Sequence, residues 1–136
     1  MNKDYLSERE ATAYSPLSLA FLGDSVYDTL VREHLLRQAN MPVAKLHSAK
    51  IQLVCAEFQS AAYDTLSGHL TEHELALLKR GRNATGNTVP KHADAAQYRR
   101  ATAVECLFGY LALTGQNERI RELFSIILSS ETESNE

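Results

Sequence analysis

Apolar residues recur along this chain at intervals of three and four, the period of helices with one face turned inward. From Ser15 to about Gln38 the recurring positions are Leu17, Phe21, Val26, Leu30, Val31 and Leu35. Ser15 is suited to cap this helix, and Pro16 to fill its first turn, where a backbone N–H has no intrahelical partner. Asn40 to Pro42 break the pattern. A second helix is predicted over Pro42–Leu66, on Leu46, Ile51, Val54, Phe58 and Leu66, and Ser67-Gly68 ends it. Thr71-Glu72-His73-Glu74 then reads as a capping box ahead of Leu75, Leu77 and Leu78. Residues 81–90 hold Gly81, Asn83, Gly86, Asn87 and Pro90 without an apolar period, and read as a loop. A long helix follows over Ala93–Leu113, stopping near Gly115. A last one over Asn117–Leu128 carries Ile120, Leu123, Phe124 and Ile127. No segment alternates as a strand does. The expected fold class is all-α, a bundle of about five to seven helices in a single domain over residues 1–136. Residues 15–128 are its ordered part, and the polar ends 1–13 and 129–136 are expected as flexible tails.

Composition narrows the class of function. At 44% hydrophobic residues the chain can bury a core, which excludes global disorder. Its net charge of −3 excludes a generic polyanion binder, so any argument for anions must be local. Cys55 and Cys106 lie in apolar patterns, outside any CxxC or Cys/His cluster, and are expected as two reduced, buried thiols. The five histidines lack metal-ligand spacing, and neither a GxSxG, a P-loop nor a GxGxxG is present. Without a leader-like opening or a run of transmembrane length, a soluble cytoplasmic protein without membrane contact is expected.

Two carboxylates stand apart because their neighbours are apolar. Asp24 falls on the stripe Leu17, Phe21, Asp24, Val31, and Glu105 sits within Ala103-Val104-Glu105-Cys106-Leu107-Phe108. An ionised carboxylate on an inward stripe needs a compensator: a basic side chain, a helix N-terminus or a metal ion. Each also has a glycine close by, Gly23 before Asp24 and Gly109 one turn after Glu105. Glycine inside a helix costs about 1 kcal/mol relative to alanine and is tolerated where another backbone must come close. The two helices are therefore expected to cross tightly and bring the carboxylates together, as an oxygen-ligand site for a hard divalent cation. The competing reading pairs each acid with a buried arginine or lysine. Asp28, one turn beyond Asp24, reads as a solvated or supporting acid.

Charge is also localised. Lys79, Arg80, Arg82, Lys91, Arg99 and Arg100 fall within residues 79–100 against Asp94 alone, in a chain that is otherwise acidic. Such a segment, with Asn83 among its polar residues, suits contact with the phosphates of a duplex. No aromatic residue interrupts the loop, which argues against stacking on single-stranded bases. A solvated basic face is the plainer alternative.

These residues resemble the ribonuclease III family. Leu19-Ala20-Phe21-Leu22-Gly23-Asp24-Ser25-Val26 resembles its signature helix, and Ala101-Thr102-Ala103-Val104-Glu105-Cys106-Leu107-Phe108-Gly109-Tyr110-Leu111 its second catalytic helix. The segments Gly23–Asp28, Lys79–Ala84, Pro90-Lys91, Tyr98-Arg99, Glu118-Arg119 and Glu122-Leu123 are similar to the family's short branch, Mini-ribonuclease III. The resemblance covers about residues 15–128. It implies the ribonuclease III helical fold and a homodimer, with hydrolysis of double-stranded RNA that depends on Mg2+ (Mn2+ substituting) and leaves 5′-phosphate products. It also implies maturation of precursor 23S ribosomal RNA, with a ribosomal protein as a conceivable further partner. No double-stranded RNA-binding domain follows the catalytic one in this branch. Of the family's four carboxylates, two would fall at Ala20 and Thr102, so only Asp24 and Glu105 carry over as catalytic metal ligands, and the number of ions stays open. Lys79, Arg80, Arg82, Asn83, Lys91, Arg99 and Arg100 are the expected RNA-binding set. A non-catalytic duplex-RNA-binding dimer and a helical adaptor with a structural polar pair are the alternatives.

Overall fold

The computed structural model describes residues 4–84 and 89–134, with side chains through residue 130. Seven helices follow one another without a strand among the described residues: α1 (Glu8–Thr12), α2 (Pro16–Gln38), α3 (Val43–Val54), α4 (Ala56–Ser67), α5 (Glu72–Arg82), α6 (Ala95–Leu113) and α7 (Asn117–Ser134). The all-α class and the predicted bundle agree with this. Loop positions Thr85, Gly86 and Asn87 lie outside the described residues.

α6 is the axis of the molecule. Nearly every residue from Ala101 to Leu111 is buried, because α2, α4 and α5 all pack around it. A helix covered on several sides has no solvated face to alternate with, and its sequence is apolar nearly all round. Tyr27, Phe108 and Phe124 meet edge to face in the core, at centroid distances of 5.8 Å for both Tyr27–Phe108 and Tyr27–Phe124.

Local signals placed the caps well. Ser15 accepts from Ser18 N with Pro16 in the first turn. Thr71 and Glu74 form the capping box of α5. Asp94 caps α6 through Gln97 N.

Five expectations change. The helix predicted over Pro42–Leu66 is two helices, broken at Cys55, whose extended ψ of 157° turns the chain between α3 and α4. Cys55 therefore sits half-buried at a junction, while Cys106 is buried as expected. Gly81 belongs to α5 rather than to a loop; it is buried, and a Cβ there would lie 2.8 Å from Ala103 Cα of α6. At the N-terminus a second capping box, Ser7 with Glu10, starts α1. Its Ala11 is wholly buried, and Leu6 N donates to Leu113 O at 2.9 Å. At the other end α7 continues to Ser134. A short polar segment held by one buried alanine shows no periodicity, so the N-terminal end reads as a tail in sequence.

Phe21 is the fifth change. The apolar spacing puts it on the inward stripe of α2, yet it is 86% exposed. The buried stripe is Leu19, Ala20, Gly23, Tyr27, Val31 and Leu35. Small residues at 20 and 23 mark where α6 presses in, and apolarity alone gave no weight to them.

Candidate active site

The crossing of α2 and α6 is backbone against backbone. A Cβ on Gly23 would overlap the carbonyl oxygen of Glu105 and stand 2.9 Å from Gly109 N. A Cβ on Gly109 would overlap the carbonyl of Leu19 and stand 3.1 Å from Gly23 N. Any side chain at either position would force the helices apart, since the atoms it meets are main chain. The two glycines thus bring the carboxylates at neighbouring positions together. Asp24 comes within hydrogen-bonding reach of the Glu105 carboxyl.

Their surroundings differ from the sequence reading in one respect. Asp24 is exposed, one residue round the helix from buried Gly23, and only Glu105 is half-buried. Asp24 lies at the mouth of a cleft of about 700 Å³ lined by Phe21, Leu22, Ser25, Asp28, Lys50 and Val54. Burial, and after it the negative charge of Asp24, push the Glu105 carboxyl up to about 8, against an opposing hydrogen bond from Gln59. Neither Asp24 nor Glu105 forms an ion pair with a basic side chain among the described residues. The buried-arginine reading therefore lacks its partner. Ala20 and Thr102, the positions where the resemblance would put further carboxylates, are both buried, and Thr102 Oγ1 donates to Tyr98 O at 3.0 Å.

Three neighbours of the pair escaped the sequence reading. Lys50 of α3 lines the Asp24 cleft and pairs with Asp28 at 3.1 Å. Asp28 also takes Arg32 Nε at 2.7 Å, so it is engaged rather than solvated. Gln59 of α4, 3% exposed, donates through Nε2 to Glu105 Oε2 at 3.4 Å and to Val54 O at 3.0 Å. Tyr27 OH donates to Leu53 O at 2.8 Å. Two carbonyls at the end of α3 are thus capped by side chains that flank the carboxylates. A buried glutamine amid apolar residues was the one signal that could have revealed Gln59.

The basic segment divides. Arg80 donates to the carbonyls of Thr12 at 2.9 Å and Tyr14 at 3.3 Å, holding the α1–α2 turn. Arg82 donates to Tyr63 OH at 2.9 Å and to Asn83 Oδ1 at 3.1 Å, with its guanidinium 5.8 Å from the Tyr63 ring centroid. These two are structural in the free protein. Lys79, Lys91 and Arg99 are exposed and Arg100 is half-buried.

A pair of carboxylates facing each other without a cation has the chemistry of a hard-metal site. No group of three or more His, Cys, Asp or Glu that could hold a metal occurs among the described residues. No helix of the described residues is long and apolar enough to cross a membrane.

Comparison with known proteins gives this arrangement a family. Residues 17–116 match the Ribonuclease III domain. The chain is similar to Mini-ribonuclease 3 of Brevibacillus brevis, 44% identical over 90% of this chain and 91% of that one. It is also similar to Mini-ribonuclease 3 of Enterococcus faecalis, 38% identical over 94% and 98%. A crystal structure of a Fusobacterium nucleatum protein superposes with a TM-score of 0.79 at 30% identity, covering 88% of this chain and 95% of that one. Similarity of this degree over most of each chain places the protein: it belongs to the ribonuclease III family, in its Mini-ribonuclease 3 branch, and is an endoribonuclease.

Proposed function

We propose that this endoribonuclease hydrolyses double-stranded RNA as a cytoplasmic homodimer with Mg2+, Mn2+ substituting, and that its substrate is precursor 23S ribosomal RNA. The observation that carries the reading is the Asp24–Glu105 pair, two carboxylates brought together by a glycine-lined crossing, with neither ion-paired to a basic side chain among the described residues. Holding such a pair ionised is unfavourable unless a cation sits between them. The residues fit a hard divalent ion, and Asp24 and Glu105 would hold it. When bound, such an ion neutralises charge on a phosphodiester and makes a water more acidic.

The remaining work falls to the protein's own groups. Asp24, exposed at the cleft, is where a phosphodiester can approach. Glu105 is fixed from beneath by α6 and by the amide of Gln59. Lys79, Lys91 and Arg99 would contact duplex phosphates, and Arg100 would stand at the margin of that contact. Arg80, Arg82 and Asn83 shape the arm from which those contacts are made. Backbone contact of this kind reads the A-form shape more than the sequence.

The dimer draws support from the exposed apolar residues of α2 and α3. Phe21, 86% exposed, lines the cleft, and Ile51 of α3 is 58% exposed. A two-fold pair would set two sites against the two strands of a duplex.

The decisive experiment incubates the pure protein with long duplex RNA, with and without magnesium. Fragments with 5′-phosphate ends should form only with the metal and vanish with chelator. A gel shift without cutting would replace the enzyme by a binder, and neither signal would leave an adaptor. Light scattering at micromolar concentration should report a dimer.

A further inference from the structure

A glutamine costs free energy at a buried helix position, because its amide brings two donors and an acceptor that must all be satisfied away from water. Gln59 is 3% exposed, and its neighbours on α4 include Phe58 and buried Ala62 and Tyr63. A leucine or methionine would fill the same space more cheaply. The amide must therefore be serving its partners.

Those partners settle which way it faces. Its nitrogen lies between two acceptors, Val54 O at 3.0 Å and Glu105 Oε2 at 3.4 Å. Turning the amide over would set its oxygen against a carbonyl and a carboxylate at once. The orientation with nitrogen inward is kept although Oε1, on the other side, is buried and meets no donor among the described residues. An acceptor left in that state is a cost, so the two donated bonds are what the position is built around. One ties Gln59 to the last turn of α3, where the chain breaks at Cys55 and carbonyls lack helical partners. The other reaches across to Glu105 of α6.

Resting on the metal-dependent reading above, we propose that Gln59 is a positioning residue of the metal site, holding Glu105 in its ligating orientation and coupling it to the α3–α4 break. Supporting groups that orient a ligand typically change metal affinity by about 10- to 100-fold when removed. Gln59 does not touch substrate; it acts through Glu105.

The test uses the full chain with Gln59→Leu and, as a second variant of closer length, Gln59→Met. Mn2+ binding is followed by electron paramagnetic resonance, which counts free ion. Both variants should bind Mn2+ about tenfold more weakly than wild type. Metal-free melting temperature should change little, because losing the donor to Val54 O is offset by removing a buried amide whose own oxygen has no donor among the described residues. Binding to duplex RNA without metal should be unchanged. Cleavage should fall at limiting Mn2+, with KM for RNA unaltered, and recover when Mn2+ is raised. Glu105→Gln should not recover. Wild-type Mn2+ affinity in both variants would overturn the proposal. So would a loss of affinity matched by equal losses in duplex binding and melting temperature, since that marks an ordinary core residue. A wild-type protein that binds Mn2+ no better than Glu105→Gln would refute the ligand assignment itself and take this proposal with it. That outcome is recognised by its appearing before any change at Gln59.

Discussion

Glu105 and Glu74 are two inward-facing glutamates of one bundle, and the fold treats them in opposite ways. Glu74, at the start of α5, is 5% exposed yet fully served. Arg119 of α7 donates to its two oxygens at 2.8 and 3.0 Å, and Thr71 N donates at 3.0 Å. Burial alone would push the Glu74 carboxyl up, but Arg119 and Thr71 outweigh it and hold it below the usual range. Glu105 meets another carboxylate and one weak amide donor, and is pushed up to about 8. A charge satisfied inside the protein is part of the scaffold, whereas one left unsatisfied is available to a ligand. The same contrast runs through the cations. Arg80 and Arg82 are tied to carbonyls, a phenol and an amide, while Lys79, Lys91 and Arg99 stand in solvent.

The sharpest way to break the contrast is at the chemistry. Glu105→Gln and Asp24→Asn should each lower cleavage of duplex RNA by at least about 100-fold, since each removes one of only two ligand charges. Metal-free melting temperature should hold or rise, because the native state no longer has to keep Glu105 protonated against its ordinary ionisation, or is under less pressure to do so. Activity above about a tenth of wild type in a quantitative cleavage assay would refute the two-ligand site.

Breaking the other glutamate should give the reverse pattern. Glu74→Gln or Arg119→Met should cost about 2–4 kcal/mol in urea unfolding, because each strands a largely buried partner. At temperatures where the variant stays folded, kcat should be near wild type. A variant of full stability, or one folded but inactive, would erase the distinction between scaffold and site.

The two acids also predict opposite slopes of stability with pH. In the metal-free protein Glu105 keeps its proton up to about 8, while the unfolded chain releases it near the ordinary glutamate value of 4.5. Between those values the native state binds more protons, so this group's contribution falls as pH rises. Glu105→Gln should remove that downward slope. Glu74 has the opposite sign: its depressed value stabilises the native state above the ordinary carboxylate range, and this is lost as pH falls through the lowered value. Denaturant midpoints from about pH 2 to 9, compared among wild type, Glu105→Gln and Glu74→Gln, separate the two. Parallel profiles would contradict both assignments.

The smallest effect concerns the cations. Replacing Lys79, Lys91 and Arg99 by Gln should weaken binding of the inactive Glu105→Gln protein to duplex RNA, with a salt slope shallower by roughly one unit per lost phosphate contact. Melting temperature should not move. Arg80→Gln should do the converse, loosening the α1–α2 turn by about 1 kcal/mol with a smaller change in salt slope. An unchanged slope in the triple variant would make the segment a solvated face.

Much of this was legible before any coordinates. Capping boxes are local, so Thr71-Glu74 and Ser15-Pro16 could be read from residues three apart. A mid-helix glycine has few uses, so Gly23 and Gly109 beside two acids foretold a close crossing. The break at Cys55 was not legible, because a dihedral change at one half-apolar residue leaves the apolar period nearly intact on either side. Nor was the direction of Phe21, since periodicity locates a stripe only to within a residue or so on a helix packed by small side chains.

By itself, then, the sequence determined the helical class, the caps, the paired glycines and the two acids beside them, because all of these are set by contacts within a few residues. Only the tertiary structure decided which acid is satisfied. Glu74 finds Arg119 from 45 positions away, Gln59 reaches Glu105 across 46, and Arg80 leaves the basic segment for carbonyls 66 and 68 residues back. Whether a charge has a partner depends on what the packed chain brings within about 4 Å of it, where Coulomb attraction and hydrogen bonding are strong, and spacing along the chain does not set that distance.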